Sequence, residues 1–210
     1  MRKIFVFFMS LICMSVSHAQ DYAPTADGKC QIWTVSPWDK KVLEALKLIK
    51  QPALFEWSGS CKNNRADGYG VLRATFGGSF VAEYIGMMKE GRISGFGKLN
   101  RLNTTIYEGN FTDGNINGIC RIVDYKEETV FDGVCKNKTM FYGTMSFPEG
   151  NKIEGRWKDD LPLGRAIRTN ENGDTVEGEF TGGVPVGNQN IKIFSDGRTA
   201  IVPAEALKKK

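Results

Sequence analysis

The fold of this chain is decided by residues 107–118, which read YEGNFTDGNING. A large side chain stands first, glycine third and a second large side chain fifth, and another glycine follows eleven positions after the start. The pattern occurs six times in the 210-residue chain, in copies that begin at Trp57, Tyr84, Tyr107, Phe131, Ile153 and Val176. In the fourth copy alone the later glycine is displaced by one residue, to Gly143. A recurrence of about 23 residues indicates a repeat architecture.

Each copy predicts a pair of short antiparallel strands. Successive side chains of a strand point to opposite faces, so the first, third and fifth positions of a copy share one face. Turn signals separate the strands, for example at 148–150 (PEG) and 172–174 (NGD). One hairpin cannot bury its apolar face alone, whereas hairpins stacked side by side form a continuous sheet. The sequence therefore predicts an all-β protein, an elongated single-layer antiparallel sheet of about six hairpins over residues 57–200.

Residues 1–19 have the pattern of a cleaved secretory signal. Residues 1–3 (MRK) are a basic start, residues 4–16 are an apolar run, and Ser17 and Ala19 are the small residues that signal peptidase needs. The apolar run is too short to span a bilayer as a stable helix. We therefore expect an exported protein, periplasmic or secreted, that is soluble after cleavage.

The composition excludes several kinds of activity. The single histidine, His18, belongs to the signal, so the mature chain lacks the residue needed for a Ser-His-Asp triad or a histidine metal site. Without Arg2 and Lys3, 26 of the 28 basic residues remain against 24 acidic ones, and a nucleic-acid binder normally needs a basic surface. We expect no cofactor, no metal site and no nucleic-acid partner.

Cysteine usage agrees with export. Four cysteines follow the signal, at Cys30, Cys61, Cys120 and Cys135. An even number in an oxidising compartment predicts two disulfides, and four cysteines allow three connectivities. The alternative is a redox-active thiol pair, but no two of these cysteines have the CxxC spacing.

The repeat resembles a known family. Residues 107–118, and residues 143–157 (GTMSFPEGNKIEGRW), are similar to the MORN (membrane occupation and recognition nexus) repeat. The resemblance covers residues 57–200, and the start of the chain around Cys30 and Cys61 resembles that of exported bacterial MORN-repeat proteins. It implies a scaffolding, dimerisation or partner-binding module. Cysteine replaces the aromatic fifth residue at 61 and 135, and Lys138 stands where glycine is expected.

These departures from the repeat favour one set of disulfides. If a hairpin turn lies near residues 126–129, two residues face each other when their numbers add to about 255. The numbers of Cys120 and Cys135 add to 255. We therefore predict the disulfide Cys120–Cys135, which leaves Cys30–Cys61 as the second.

The segment 20–56 differs in kind from the repeats. Ser36 is typical of a helix N-cap, Pro37 of a first helical residue, and Pro52 of a helix end, so residues 37–50 predict a short amphipathic helix. We expect this helix to cap the exposed end of the sheet. The alternatives are a helix that lies on an anionic membrane surface, together with the basic tail at 201–210, or a helix exchanged with another copy.

Carboxylates are the remaining candidates for catalysis. They occupy the second position of four copies, as Glu108, Asp132, Glu154 and Glu177, and should form a column on the face opposite the large side chains. We interpret this column as a solvated surface. A weak divalent-cation site, or a hydrolase that uses Glu108 or Glu154, are the alternatives.

The leading functional hypothesis is a non-catalytic, exported protein-binding or scaffolding module of the cell envelope. Its expected partner is a protein, and a homodimer and membrane-surface association are the other options. The candidate contact residues are the large side chains of the repeats: Trp57, Tyr84, Tyr107, Phe111, Phe131, Trp157 and Phe180.

Overall fold

The computed structural model describes residues 22–33 and 53–207, which form sixteen strands followed by a short 3-10 helix, Ala204–Leu207. The strands are β1 Tyr22–Pro24, β2 Gln31–Trp33, β3 Ala53–Trp57, β4 Ser60–Lys62, β5 Arg65–Phe76, β6 Ser79–Lys89, β7 Arg92–Arg101, β8 Thr105–Thr112, β9 Asn115–Asp124, β10 Thr129–Lys136, β11 Thr139–Ser146, β12 Lys152–Lys158, β13 Leu161–Thr169, β14 Thr175–Thr181, β15 Val184–Ile193 and β16 Thr199–Val202. The predicted signal at 1–19 and the predicted helix at 37–50 lie outside the described residues.

All sixteen strands belong to one sheet. From β5 to β16 each strand pairs antiparallel with the next strand in sequence, so the predicted all-β, single-sheet architecture of hairpins is confirmed. The other side of β5 pairs with β3 and β4, which are the two halves of an interrupted leading strand. One pairing differs from the prediction, because β2 contacts β5 in parallel through Gln31 and Arg65. A hairpin turn would make two strands antiparallel, but no hairpin turn joins β2 to β5, so these two strands can pair in parallel.

A row of small residues crosses the sheet from β5 to β14, and we call it the glycine row. Each member is paired with the next across adjacent strands. The members are Gly70, Gly86, Gly97, Gly109, Cys120, Gly133, Gly143, Gly155, Ala166 and Gly178.

Large side chains lie on top of this row. A Cβ added at Gly133 or Gly143 would lie 2.9 or 2.8 Å from Cζ of Phe131, the first residue of the fourth copy. A Cβ added at Gly86 or Gly97 would likewise meet the ring of Tyr84. Phe131 is 1% exposed and Tyr84 is fully buried. The glycines therefore leave room for the rings of their own repeat, which gives a single-layer sheet a buried core.

The rings also connect one repeat to the next. Tyr84 meets Phe111 of the following copy edge to face, with ring centroids 5.6 Å apart, and Phe131 meets Trp157 in the same way at 6.0 Å. Such pairs contribute about 0.5–1.5 kcal/mol beyond the burial of their area. The third and fifth repeats are thus each stabilised by the first aromatic residue of the repeat before them.

In four of the six repeats the later glycine lies opposite an irregularity in the strand pairing, at Gly95, Gly118, Gly164 and Gly187. The register between β6 and β7 shifts between Gly86 and Met88, opposite Gly95, which has φ +67°. A corresponding shift between β8 and β9 lies opposite Gly118, with φ +103°. Residues with a Cβ rarely adopt this left-handed region, so glycine is favoured at these positions. This explains why the later glycine recurs in these four repeats.

Two-residue turns close the hairpins along one rim. Both residues of each turn have positive φ, with values of 47° and 77° at Asp113-Gly114 and 50° and 78° at Asn137-Lys138. These angles are typical of type I′ turns, in which glycine is favoured at the second position. Lys138 therefore holds a conformation that glycine adopts at lower cost.

Replacing Gly97 with alanine should destabilise the sheet by about 2–3 kcal/mol, because the methyl group meets the ring of Tyr84. The free energy of unfolding from urea denaturation measures the effect. Adding Tyr84→Leu should make the Gly97→Ala substitution much less costly, since the colliding ring is then absent. Strict additivity of the two substitutions would contradict the proposed packing.

The variant Lys138→Gly should be about 0.5–1 kcal/mol more stable than the natural chain, because it relieves a left-handed backbone at a non-glycine residue. Thermal unfolding monitored by circular dichroism measures the gain. Lys138→Ala is the control: it also removes the lysine side chain but keeps a Cβ, and no gain is expected from it.

Candidate functional site

The predicted contact residues form the packed face of the sheet. Five of the seven are at most 5% exposed: Tyr84, Phe111, Phe131, Trp157 and Phe180. Trp57 and Tyr107 are partly exposed. We call the face on which these residues lie the inner face. In this structure its aromatic side chains mainly contact the sheet itself.

The polar atoms of these aromatic residues are used within the sheet. The Tyr84 hydroxyl donates to the carbonyl of Met87 at 3.0 Å, and Nε1 of Trp157 donates to the carbonyl of Gly143 at 3.0 Å. Burial raises the pKa of the Tyr84 phenol well above its usual range, so this hydroxyl stays protonated at neutral pH. Such a group fixes the ring and is a poor acid or base.

The two disulfides of the structure join the cysteine pairs that the sequence favoured. The first joins Cys120 to Cys135, with Cα atoms 5.9 Å apart. The register is different from the predicted one, because Cys120 faces Gly133 and Cys135 faces Gly118. The bond therefore connects diagonal positions, one in the glycine row and one at the fifth position of a repeat. It fills the space that an aromatic ring fills in other repeats, and both cysteines are buried.

The second disulfide fastens the N-terminal strands to the first repeat. Cys30 is 3% exposed, while its partner Cys61, in β4, is on the surface. The guanidinium carbon of Arg92 lies 3.9 Å from the centre of the Trp33 ring, and Trp33 donates its backbone N–H to the carbonyl of Gly91. Strands β1 and β2 thus cover part of the sheet end that the sequence assigned to the helix at 37–50.

The carboxylate column lies on the opposite, outer face, where basic side chains separate its first two members. In register across β7 to β10 the residues are Lys98, Glu108, Arg121 and Asp132, and we call them the charged row. Arg121 donates to Asp132 at 3.0 Å. Glu177, further along the sheet, accepts hydrogen bonds from Arg165. A cross-strand carboxylate pair, as an acid–base hydrolase would need, is not formed by these neighbours.

A row of exposed apolar side chains runs beside the charged row, and the sequence did not predict it. We call these residues the outer apolar row: Tyr69, Met87, Phe96, Ile119, Val134 and Tyr142. They come from β5, β6, β7, β9, β10 and β11, with Asn110 in the β8 position.

The outer apolar row is exposed and has a definite end. Phe96 is 60% and Ile119 is 72% exposed, and the least exposed member, Val134, is still 39% exposed. Beyond Tyr142 the next position is Arg156. Contiguous exposed apolar surface of this kind marks an interaction site on many proteins.

One open cleft lies at the rim beside β4 to β7, with a volume of about 600 Å³. Its charged side chains are of both signs, with Lys62, Arg65 and Lys89 facing Asp67 and Glu90. The mixture offers no convergent set of catalytic groups.

Within residues 22–33 and 53–207 no cluster of three or more cysteine, aspartate or glutamate side chains is arranged to hold a metal ion. Over the same ranges there is no helix with the length and apolar character needed to cross a membrane.

The geometry defines a class of protein, a repeat array in which each two-stranded unit packs on its neighbours in one layer. The family model of the MORN repeat matches residues 84–100, 107–124 and 154–175, which lie in the second, third and fifth copies. Three of the six copies are thus MORN repeats, as the sequence predicted. Repeats of this kind are commonly protein- or membrane-binding modules, and the family is generally non-catalytic.

Curated relatives carry a similar stretch. Residues of this chain are 28% identical over 140 positions to alsin from Homo sapiens and to alsin from Mus musculus. The similar stretch covers 63% of this chain but only 8% of either alsin. The likeness therefore concerns a small part of those proteins and leaves most of their length without a counterpart here.

Mild reduction should open Cys30–Cys61 before Cys120–Cys135, because Cys61 is exposed whereas both cysteines of the second pair are buried. Differential alkylation at increasing dithiothreitol, followed by peptide mass spectrometry, measures the order. Loss of the buried pair first, or of both together, would contradict the burial seen at the inner face.

Proposed function

We propose that this chain is a non-catalytic, exported protein-binding module that acts as a scaffold in the cell envelope. The observation that carries the proposal is the outer apolar row, whose members are 39–72% exposed on a sheet that already has a core on its other face. Ile119 and its neighbours do not stabilise that core, so their exposure is unexplained by folding alone.

Two further observations support this proposal. The disulfides Cys30–Cys61 and Cys120–Cys135 agree with an oxidising, extracytoplasmic compartment. The sheet is also a suitable rigid platform, because its cross-strand hydrogen bonds and buried rings hold the exposed side chains at fixed spacing of about 4.8 Å per strand. A partner that fits the row therefore meets a preformed surface.

The inner face contributes indirectly in this proposal. Its buried rings set the positions of the strands and thereby the spacing of the outer side chains. Trp57 and Tyr107, which are partly exposed, are the two originally expected contact residues that a partner reaches without opening the sheet. Membrane-surface association, the alternative, relies on residues 37–50 and the lysines at 208–210, which lie outside the described residues.

Photo-crosslinking in the envelope fraction tests the proposal with a matched control. A benzoylphenylalanine at position 119 should give a discrete crosslinked product, whereas the same probe at position 201 should not. Ile119 and Ile201 are 72% and 73% exposed, but Ile201 lies on β16, outside the outer apolar row. The substitution Ile119→Ser should lower recovery of the crosslinked partner from a probe at position 96 at least tenfold, and Ile201→Ser should not. Absence of any product from positions 96 and 119 would refute this surface as a binding site.

A further inference from the structure

The charges and apolar residues of the outer face are arranged so that the face complements itself. We infer that the outer face of β6 to β11 binds a second copy of this chain. The two copies are related by a two-fold axis that runs parallel to the strands. The axis lies between the two facing sheets, at the boundary of β8 and β9. This inference rests on the proposed function, because it names the occupant of the same surface.

The charged row provides the first argument. From β7 to β10 its charges alternate in sign, as Lys98, Glu108, Arg121 and Asp132. A two-fold axis between β8 and β9 reverses this order in the second copy. Lys98 then faces Asp132 of the second copy, and Arg121 faces Glu108. Four ion pairs form across the interface, and no like charges of this row oppose each other.

The outer apolar row obeys the same symmetry. The axis places Phe96, on β7, against Val134 of the second copy, on β10. It places Met87, on β6, against Tyr142, on β11. At the centre, Asn110 meets Ile119. Apolar groups thus oppose apolar groups at four of the six strand positions.

The geometry agrees with ordinary packing of sheets. An axis parallel to the strands keeps the strands of the two copies in nearly the same direction, as in aligned sheet-on-sheet packing with a crossing angle of about −30°. Because of this angle the rows diverge away from the axis, so the contact is limited to the central strands. Arg156, on β12, lies where the apolar row ends.

The size of the surface sets the expected strength. Six strands at about 4.8 Å and two rows of side chains give a patch of roughly 29 Å by 14 Å on each copy. The area buried by both copies, on the order of 800 Å², lies below that of standard stable interfaces. The dimer should therefore be weak, with a dissociation constant in the micromolar range or above, and depend on local concentration.

Sedimentation equilibrium of the purified protein, from about 1 μM to about 1 mM, tests the inference. The natural chain should show a reversible monomer–dimer equilibrium that weakens as salt increases, since exposed ion pairs are screened. Lys98→Glu should weaken dimerisation at least tenfold, because it places like charges at both symmetry-related contacts with Asp132. The control Lys152→Glu makes the same charge change on β12, outside the contact, and should leave the equilibrium unchanged.

A mixing experiment separates contact between copies from effects within one chain. Lys98 and Asp132 lie three strands apart, about 14 Å, so they do not touch within a chain. Lys98→Glu and Asp132→Lys should each dimerise poorly alone, yet an equimolar mixture should form heterodimers about as strongly as the natural chain. Among the pairs that these two variants can form, only the mixed pair places opposite charges against each other at both contacts. Circular dichroism melting of each variant confirms that the monomers are folded.

The outcomes distinguish this inference from the proposed function. A natural chain that stays monomeric up to about 1 mM, or a mixture that dimerises no better than its components, would overturn the inference. If position 119 then crosslinks to a different protein, the proposed binding surface stands and its occupant is that protein. A crosslinked product with the mass of two copies of this chain supports both.

Discussion

The contact of an aromatic ring with the glycine row is the interaction on which this structure depends. A single layer of strands has no second layer to cover it, so each repeat must cover its own backbone. Tyr84 and Phe131 do so by placing their rings against two glycines each. The row has ten positions, and only Cys120 and Ala166 among them carry a Cβ. In the repeat that contains Ala166, the large first residue is Ile153, which is smaller than an aromatic residue. Beside Cys120, the disulfide to Cys135 occupies the space that an aromatic ring fills in other repeats.

As a result, the two faces of the sheet have different roles: the inner face stabilises the fold, and the outer face presents exposed side chains. The inner face uses the regular residues of the repeat for stability, which leaves the positions between them free to vary. On the outer face those positions hold the charged row and the outer apolar row. The regularity of the inner face sets the spacing between outer side chains, so residues far apart in sequence, such as Phe96 and Val134, become members of one surface. A sheet of this kind can present a different surface through changes to its outer residues alone.

The repeat could be read from sequence because its large residues and glycines recur at constant spacing. The order of strands followed from the same spacing, and the cysteine pairs from their places in the repeat. The register around Cys120 could not be read, because it depends on which residues form the β9–β10 turn. The turn is residues 125–128 rather than 126–129, so paired positions add to 253 instead of 255. The outer apolar row was missed for another reason. Its members occupy positions that differ between repeats, are interrupted by Asn110 on β8, and form a row only when the strands are aligned.

The positions of the two disulfides make the two ends of the array unequal in resistance to unfolding. One crosslink holds the N-terminal strands and the other joins β9 to β10, whereas the chain from β12 to β16 contains no cysteine. Because each unit contacts only its neighbours, a repeat array opens from its least protected end. Fraying should thus start at β16 and advance unit by unit until it meets the crosslink in the middle. A protease that pulls on the C-terminus would therefore unfold the array one unit at a time, whereas the crosslinked N-terminal half would resist unfolding.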